Sequence, residues 1–114
     1  MSNELLFNFS QNDLDLLAKA SRDPQAVSES ELRYVTTRFL SIANYYEMIF
    51  YAWNRGDVDD DLWNGRLQRM ANFFGPALES LWPIWKDGLG KTFQEYVEQT
   101  VVKVPPSQAS WARS

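Results

Sequence analysis

The chain of 114 residues contains no cysteine and no histidine. The first absence excludes disulfides, thiolate nucleophiles and cysteine metal sites. The second removes the commonest general base and the commonest metal ligand together. Cations are in deficit: 11 Lys and Arg stand against 15 Asp and Glu, giving a net charge of −4 and a pI near 4.7. A basic phosphate-tracking face is therefore not expected, and no nucleic acid is expected as a partner. Long apolar runs are missing as well, since no segment reaches the ~18 apolar residues of a membrane span. The opening Met1–Phe9 lacks a basic start and an extended apolar core, so it does not read as a signal peptide. The expectation is a cytoplasmic protein with no metal, no cofactor and no membrane span.

Aromatic residues are abundant, at 15% of the chain with five Trp. In so short a chain they must build much of the core or mark a contact surface. The densest apolar stretch is Phe39–Trp53. On a helix, Phe39, Ile42, Ala43, Tyr46, Phe50 and Trp53 form one stripe, extended backwards by Leu32, Val35 and Thr36. Tyr45, Met48, Tyr51 and Ala52 fill most of the other side, which predicts a helix buried among its neighbours.

Start and stop signals frame the remaining elements. Ser10 and Asp13 form an N-cap pair, and Asp23-Pro24 ends the helix that follows. Ser28-Glu-Ser-Glu31 is a capping box that opens a long central helix, about 29–55, and Gly56 is its left-handed terminator. Asp59 is expected to cap a third helix with Leu62, Leu67, Met70 and Phe74 inward and Trp63 and Phe73 flanking. A fourth helix is expected from Ala77 to about Lys86, kinked or shortened by Pro83. Thr92-Phe-Gln-Glu95 reads as a second capping box, opening a last helix that Pro105-Pro106 stops. No strand-like alternation is visible. The predicted fold is all-α: a single-domain bundle of about five helices around the central one, spanning 1–104, with a flexible tail at 105–114.

The candidate chemistry is sparse. Gly90-Lys91-Thr92 matches only the end of a phosphate-binding loop, because Trp85 stands where its first glycine belongs and no strand precedes it. Asp57, Asp59 and Asp61 have the opening spacing of a calcium loop, yet Leu62 and Gln68 replace its required Gly and Glu. Asn44 and Glu47 share a helix face among apolar neighbours. They are expected to form a buried polar network, with Arg33, Arg38, Arg66 or a tyrosine hydroxyl as partners. The functional alternative makes Glu47 a general acid or base tuned by desolvation. Tyr34, Tyr45, Met48 and Trp111 are the candidate partner surface, with Ala52 beside them, since an exposed apolar patch marks an interaction site.

Several short motifs carry a resemblance. They are Asp23-Pro24, Glu31, Asn44-Tyr45-Tyr46-Glu47, Tyr51, Gly56-Asp57-Val58-Asp59-x-x-Leu62-Trp63, Trp82 and Phe93-x-x-Tyr96-Val97. Together they resemble an uncharacterised family of small helical bacterial proteins with an N-x-x-E pair in a long helix and a terminal F-x-x-[FY]-[VIL] motif. The likeness covers residues 10–102 and implies a helical fold, with no activity attached. Many members carry an N-terminal membrane anchor. Residues 1–9 are too short to span, so membrane association is not carried over. The functional expectation is a non-enzymatic protein–protein interaction module in a bacterial or phage cytoplasm, binding a protein partner or a second copy. The alternatives are a small acidic inhibitor of a host enzyme, working through Asp57–Asp61, and an enzyme using Glu47.

Overall fold

The computed structural model describes residues 10–105. Among these the fold is all-α: α1 (Gln11–Arg22), α2 (Glu29–Asn54), α3 (Asp60–Phe74), α4 (Trp82–Trp85) and α5 (Lys91–Gln99), joined by short 3₁₀ turns. The tail expected at 105–114 lies, beyond Pro105, outside the described residues, as do residues 1–9.

The first two helices begin as their capping residues dictate. Ser10 accepts from the Asp13 amide while Asp13 accepts from the Ser10 amide, and Ser28 and Glu31 repeat the exchange. The end of α2 is a Schellman motif. The Gly56 amide donates to Trp53 and that of Asp57 to Ala52, with Gly56 at φ +87°. Asp59 occupies the N-cap position of α3 without a side-chain cap bond.

Three expectations are corrected. The helix expected at 77–86 is a 3₁₀ turn at Gly75–Ala77, the four-residue α4 and a second 3₁₀ turn at Lys86–Gly88. Pro83 has no N–H to donate back to residue 79, so no continuous helix crosses it. The last helix starts at Lys91 with Gly90 as its N-cap, not through a Thr92–Glu95 box, and gives way to a 3₁₀ turn at Val101–Lys103. On α3 the inward residue is Trp63, 1% exposed, whereas Leu62 is 47% exposed. The inner stripe runs Trp63–Met70–Phe74, one position on from the expected start.

The core is organised around one face of α2. Its buried residues Val35, Phe39, Ile42, Ala43, Tyr46 and Phe50 belong to one core cluster with residues of α1, α3, α4 and α5. Phe39 is stacked between Phe73 and Trp85, with ring centroids 3.9 and 3.7 Å away. Phe50 sits 5.8 Å from Trp63, 5.3 Å from Phe93 and 4.8 Å from Tyr96. Each indole in this region finds an acceptor, as buried N–H groups require. Trp63 donates to the Tyr96 hydroxyl, Trp85 to Thr36, Trp82 to Glu98 and Trp53 to Asp60.

Candidate functional site

Asn44 and Glu47 do not form the expected buried network. Asn44 is exposed, because it lies two residues from both Ile42 and Tyr46 and so points away from the face they define. Glu47 is half-buried on a flank of α2, where its Oε2 accepts from the Gly90 amide at 2.6 Å. Gly90 is the N-cap of α5, so an acid on α2 supplies what an N3 glutamate supplies in a capping box. The approach is close. A Cβ on Gly90 would stand 2.5 Å from the Tyr51 hydroxyl and 2.9 Å from Glu47 Oε2. The arginines expected around Glu47 are elsewhere. Arg33 faces Glu29 at 3.8 Å and Arg38 faces Asp13 at 3.6 Å. Among the described residues no side chain hydrogen-bonds to Glu47. The geometry makes this carboxylate a tie between α2 and α5.

Of the residues expected to face a partner, Tyr34, Tyr45 and Met48 stand on one side of α2 at helical spacing but differ in their surroundings. Tyr34 is 45% exposed, but its hydroxyl donates to Asp13 at 2.8 Å and fastens α1 to α2. That acceptor and desolvation push its phenol pKa up. Met48 is 67% exposed among Arg33, Thr37, Ser41 and Asn44 on the outer side of α2, so it stands in a polar setting. Tyr45 is half-buried, with its ring edge-on to Tyr46 at 5.5 Å. Trp111 lies outside the described residues.

A different constellation emerges along the seam between α2 and α3. Tyr45, Ile49 and Ala52, all half-buried, follow one another on α2 at spacings of four and three. Leu62, Arg66, Arg69 and Phe73 do the same on α3 at four, three and four. Phe73 meets Tyr46 at 6.0 Å, and the positive charges of Arg69 and Arg66 act on the Tyr46 phenol. Burial dominates there and pushes that phenol up to about 12. The α3 stripe thus carries an exposed leucine and two arginines in line with the buried Phe73. Sequence reasoning passed over Leu62 and Arg69 as site residues. The 62–66–69–73 stripe was visible, but which flank of α3 it occupies depends on Trp63 facing inward.

The acidic stretch is partly engaged. Asp57 pairs with Arg55 at 3.2 Å and Asp60 accepts from Trp53, leaving Asp59 and Asp61 exposed at the start of α3. No cluster of three or more metal-ligating side chains occurs among the described residues. A shallow groove of about 380 Å³ lies between Gly75, Leu78, Glu79, Val102 and Val104, mostly apolar with one carboxylate at its edge. No described helix is long and apolar enough to cross a membrane. No protein-family model matches the chain, and no curated protein and no solved structure matches it.

Proposed function

We propose that this chain is a non-enzymatic helical interaction module whose contact face is the α2–α3 seam. The observation that supports this reading is the exposure of Leu62, at 47%, on the α3 stripe that also carries Arg66 and Arg69. An exposed leucine with arginines on the same helix face suits a protein contact with a polar rim. The partner is a protein or a second copy of the chain. The proposed setting is a bacterial or phage cytoplasm, and the resemblance to small helical bacterial proteins supports its bacterial part.

The acidic-inhibitor alternative would rest on Asp59 and Asp61, since Asp57 and Asp60 are held within the chain. Two exposed carboxylates make a weak charge mimic. The Glu47 enzyme alternative would have to free a carboxylate that the Gly90 amide already uses.

Size-exclusion chromatography with light scattering, together with capture on the immobilised chain, tests the leading reading. A species larger than the 13.3 kDa monomer, or a retained protein, is expected for the wild type. Leu62→Asp should abolish either while leaving the circular dichroism spectrum unchanged, because the side chain already faces water. Binding that survives this substitution rules the seam out as the contact face.

A further inference from the structure

The shallow groove of about 380 Å³ brings Gly75, Leu78 and Glu79, which follow α3, against Val102 and Val104 at the last described turn. Val102 is 51% exposed and Leu78 is half-buried, so apolar surface faces water here. A volume of this order admits a group the size of an indole. Glu79 is exposed at the edge, and no cation among the described residues lies within ion-pair distance of it.

The sequence carries complementary groups close by. Residues 106–114, outside the described part of the chain, read Pro-Ser-Gln-Ala-Ser-Trp-Ala-Arg-Ser. They hold one aromatic side chain, Trp111, one cation, Arg113, and no acid. They begin two residues after Val104, itself a wall of the groove. The Pro105 carbonyl accepts from Gln68 Nε2 at 3.2 Å, seven residues before Gly75 along α3. At 1.5 Å per residue the groove lies about 10 Å back from that point. About three extended residues span this distance, and Trp111 is six residues beyond Pro105. Ser107 and Ser110 suit the reversal this needs. A group tethered so close acts at an effective concentration on the order of millimolar, which favours it over a free ligand of equal intrinsic affinity.

We propose that residues 106–114 dock back on this groove, with the Trp111 indole between Leu78 and Val102 and the Arg113 guanidinium on the Glu79 carboxylate. In an extended segment, residues two apart share a side, so one approach seats both groups. The indole supplies the buried area, and the charge pair at the rim fixes the direction. The groove lies about 20 Å along α3 from Leu62, so this contact stands whether or not the partner reading holds.

NMR on the full chain tests the docking. Nuclear Overhauser contacts from the Trp111 indole to the Leu78 and Val102 methyls are expected, and Trp111→Ser assigns the indole signal by its loss. A peptide of sequence 106–114, acetylated at its start, is then titrated into the Trp111→Ser chain and into the wild type, with the Val102 and Val104 methyl shifts followed. The half-saturation concentration should be about tenfold higher for the wild type, whose own segment fills the groove. Glu79→Gln and Arg113→Gln should each lower the docked-to-free ratio, read from the indole shift, about threefold, and the double variant no further than either alone. Missing contacts, or equal titrations of the two chains, overturn the proposal. Contacts that fade on dilution also overturn it, because they would put the segment of a second copy in the groove. Charge variants that leave the indole shift unmoved overturn the pairing of Arg113 with Glu79.

Discussion

Gly90 and Glu47 meet at a contact with no room to spare. An alanine at 90 would put its Cβ 2.5 Å from one oxygen and 2.9 Å from another, closer than carbon and oxygen sit. Gly90→Ala should therefore cost about 1–3 kcal/mol, the range for overpacking a close junction. Glu47→Ala leaves the Gly90 amide without its acceptor and should cost about 1.5–3 kcal/mol. Glu47→Gln retains an oxygen acceptor and should recover a good part of that loss. Urea unfolding of the three variants checks the order. A Glu47→Ala protein as stable as the wild type would show that the carboxylate does not hold α5 in place. The same measurement separates a structural Glu47 from a catalytic one, because a catalytic carboxylate gives up stability to function and its loss need not destabilise.

At the scale of the element, two glycines make a controlled comparison. A Cβ at Gly56 and a Cβ at Gly65 would each meet nothing within 4 Å. Only the backbone differs: Gly56 closes the Schellman motif at φ +87°, whereas Gly65 lies inside α3 with no positive φ. Gly56→Ala should lose about 1 kcal/mol, because an L side chain strains the left-handed conformation. Gly65→Ala should gain about 0.5–1 kcal/mol through higher helix propensity and a stiffer unfolded chain. Thermal midpoints moving in opposite directions confirm both. A common direction would contradict the helix termination described for α2.

Over the whole molecule, stability rests on an aromatic core with Tyr46, 1% exposed, near its centre. Burial lifts its phenol from the ordinary 10.0 to about 12. Since the folded value is the higher one, this contribution is fully present below pH 10 and is lost as pH rises towards 12. Two units correspond to a loss on the order of 3 kcal/mol. Tyr96, raised by the same cause, adds to the trend. Urea midpoints measured from pH 9 to 12 should fall for the wild type, and Tyr46→Phe should flatten much of the fall. An equal fall in the variant would move the alkaline transition elsewhere.

Local chemistry was enough for the class and for most boundaries. The Ser10–Asp13 and Ser28–Glu31 boxes, Asp23-Pro24 and Gly56 act through neighbours a few residues away, so their outcome is written in the chain itself. The stripe from Phe39 to Phe50 likewise follows from helical periodicity. What tertiary structure alone decided was the rotation of each helix and the partners of its flanks. Apolar residues surround Asn44 and Glu47 in sequence, yet only the packing of α3 and α5 determines that one faces water and the other caps a distant helix. Trp63 displaced Leu62 from the core because an indole fills the space between Phe50 and Tyr96 and donates to that tyrosine. That one-position difference turned Leu62 outward and set Arg66 and Arg69 along the seam, since side chains on a helix rotate together.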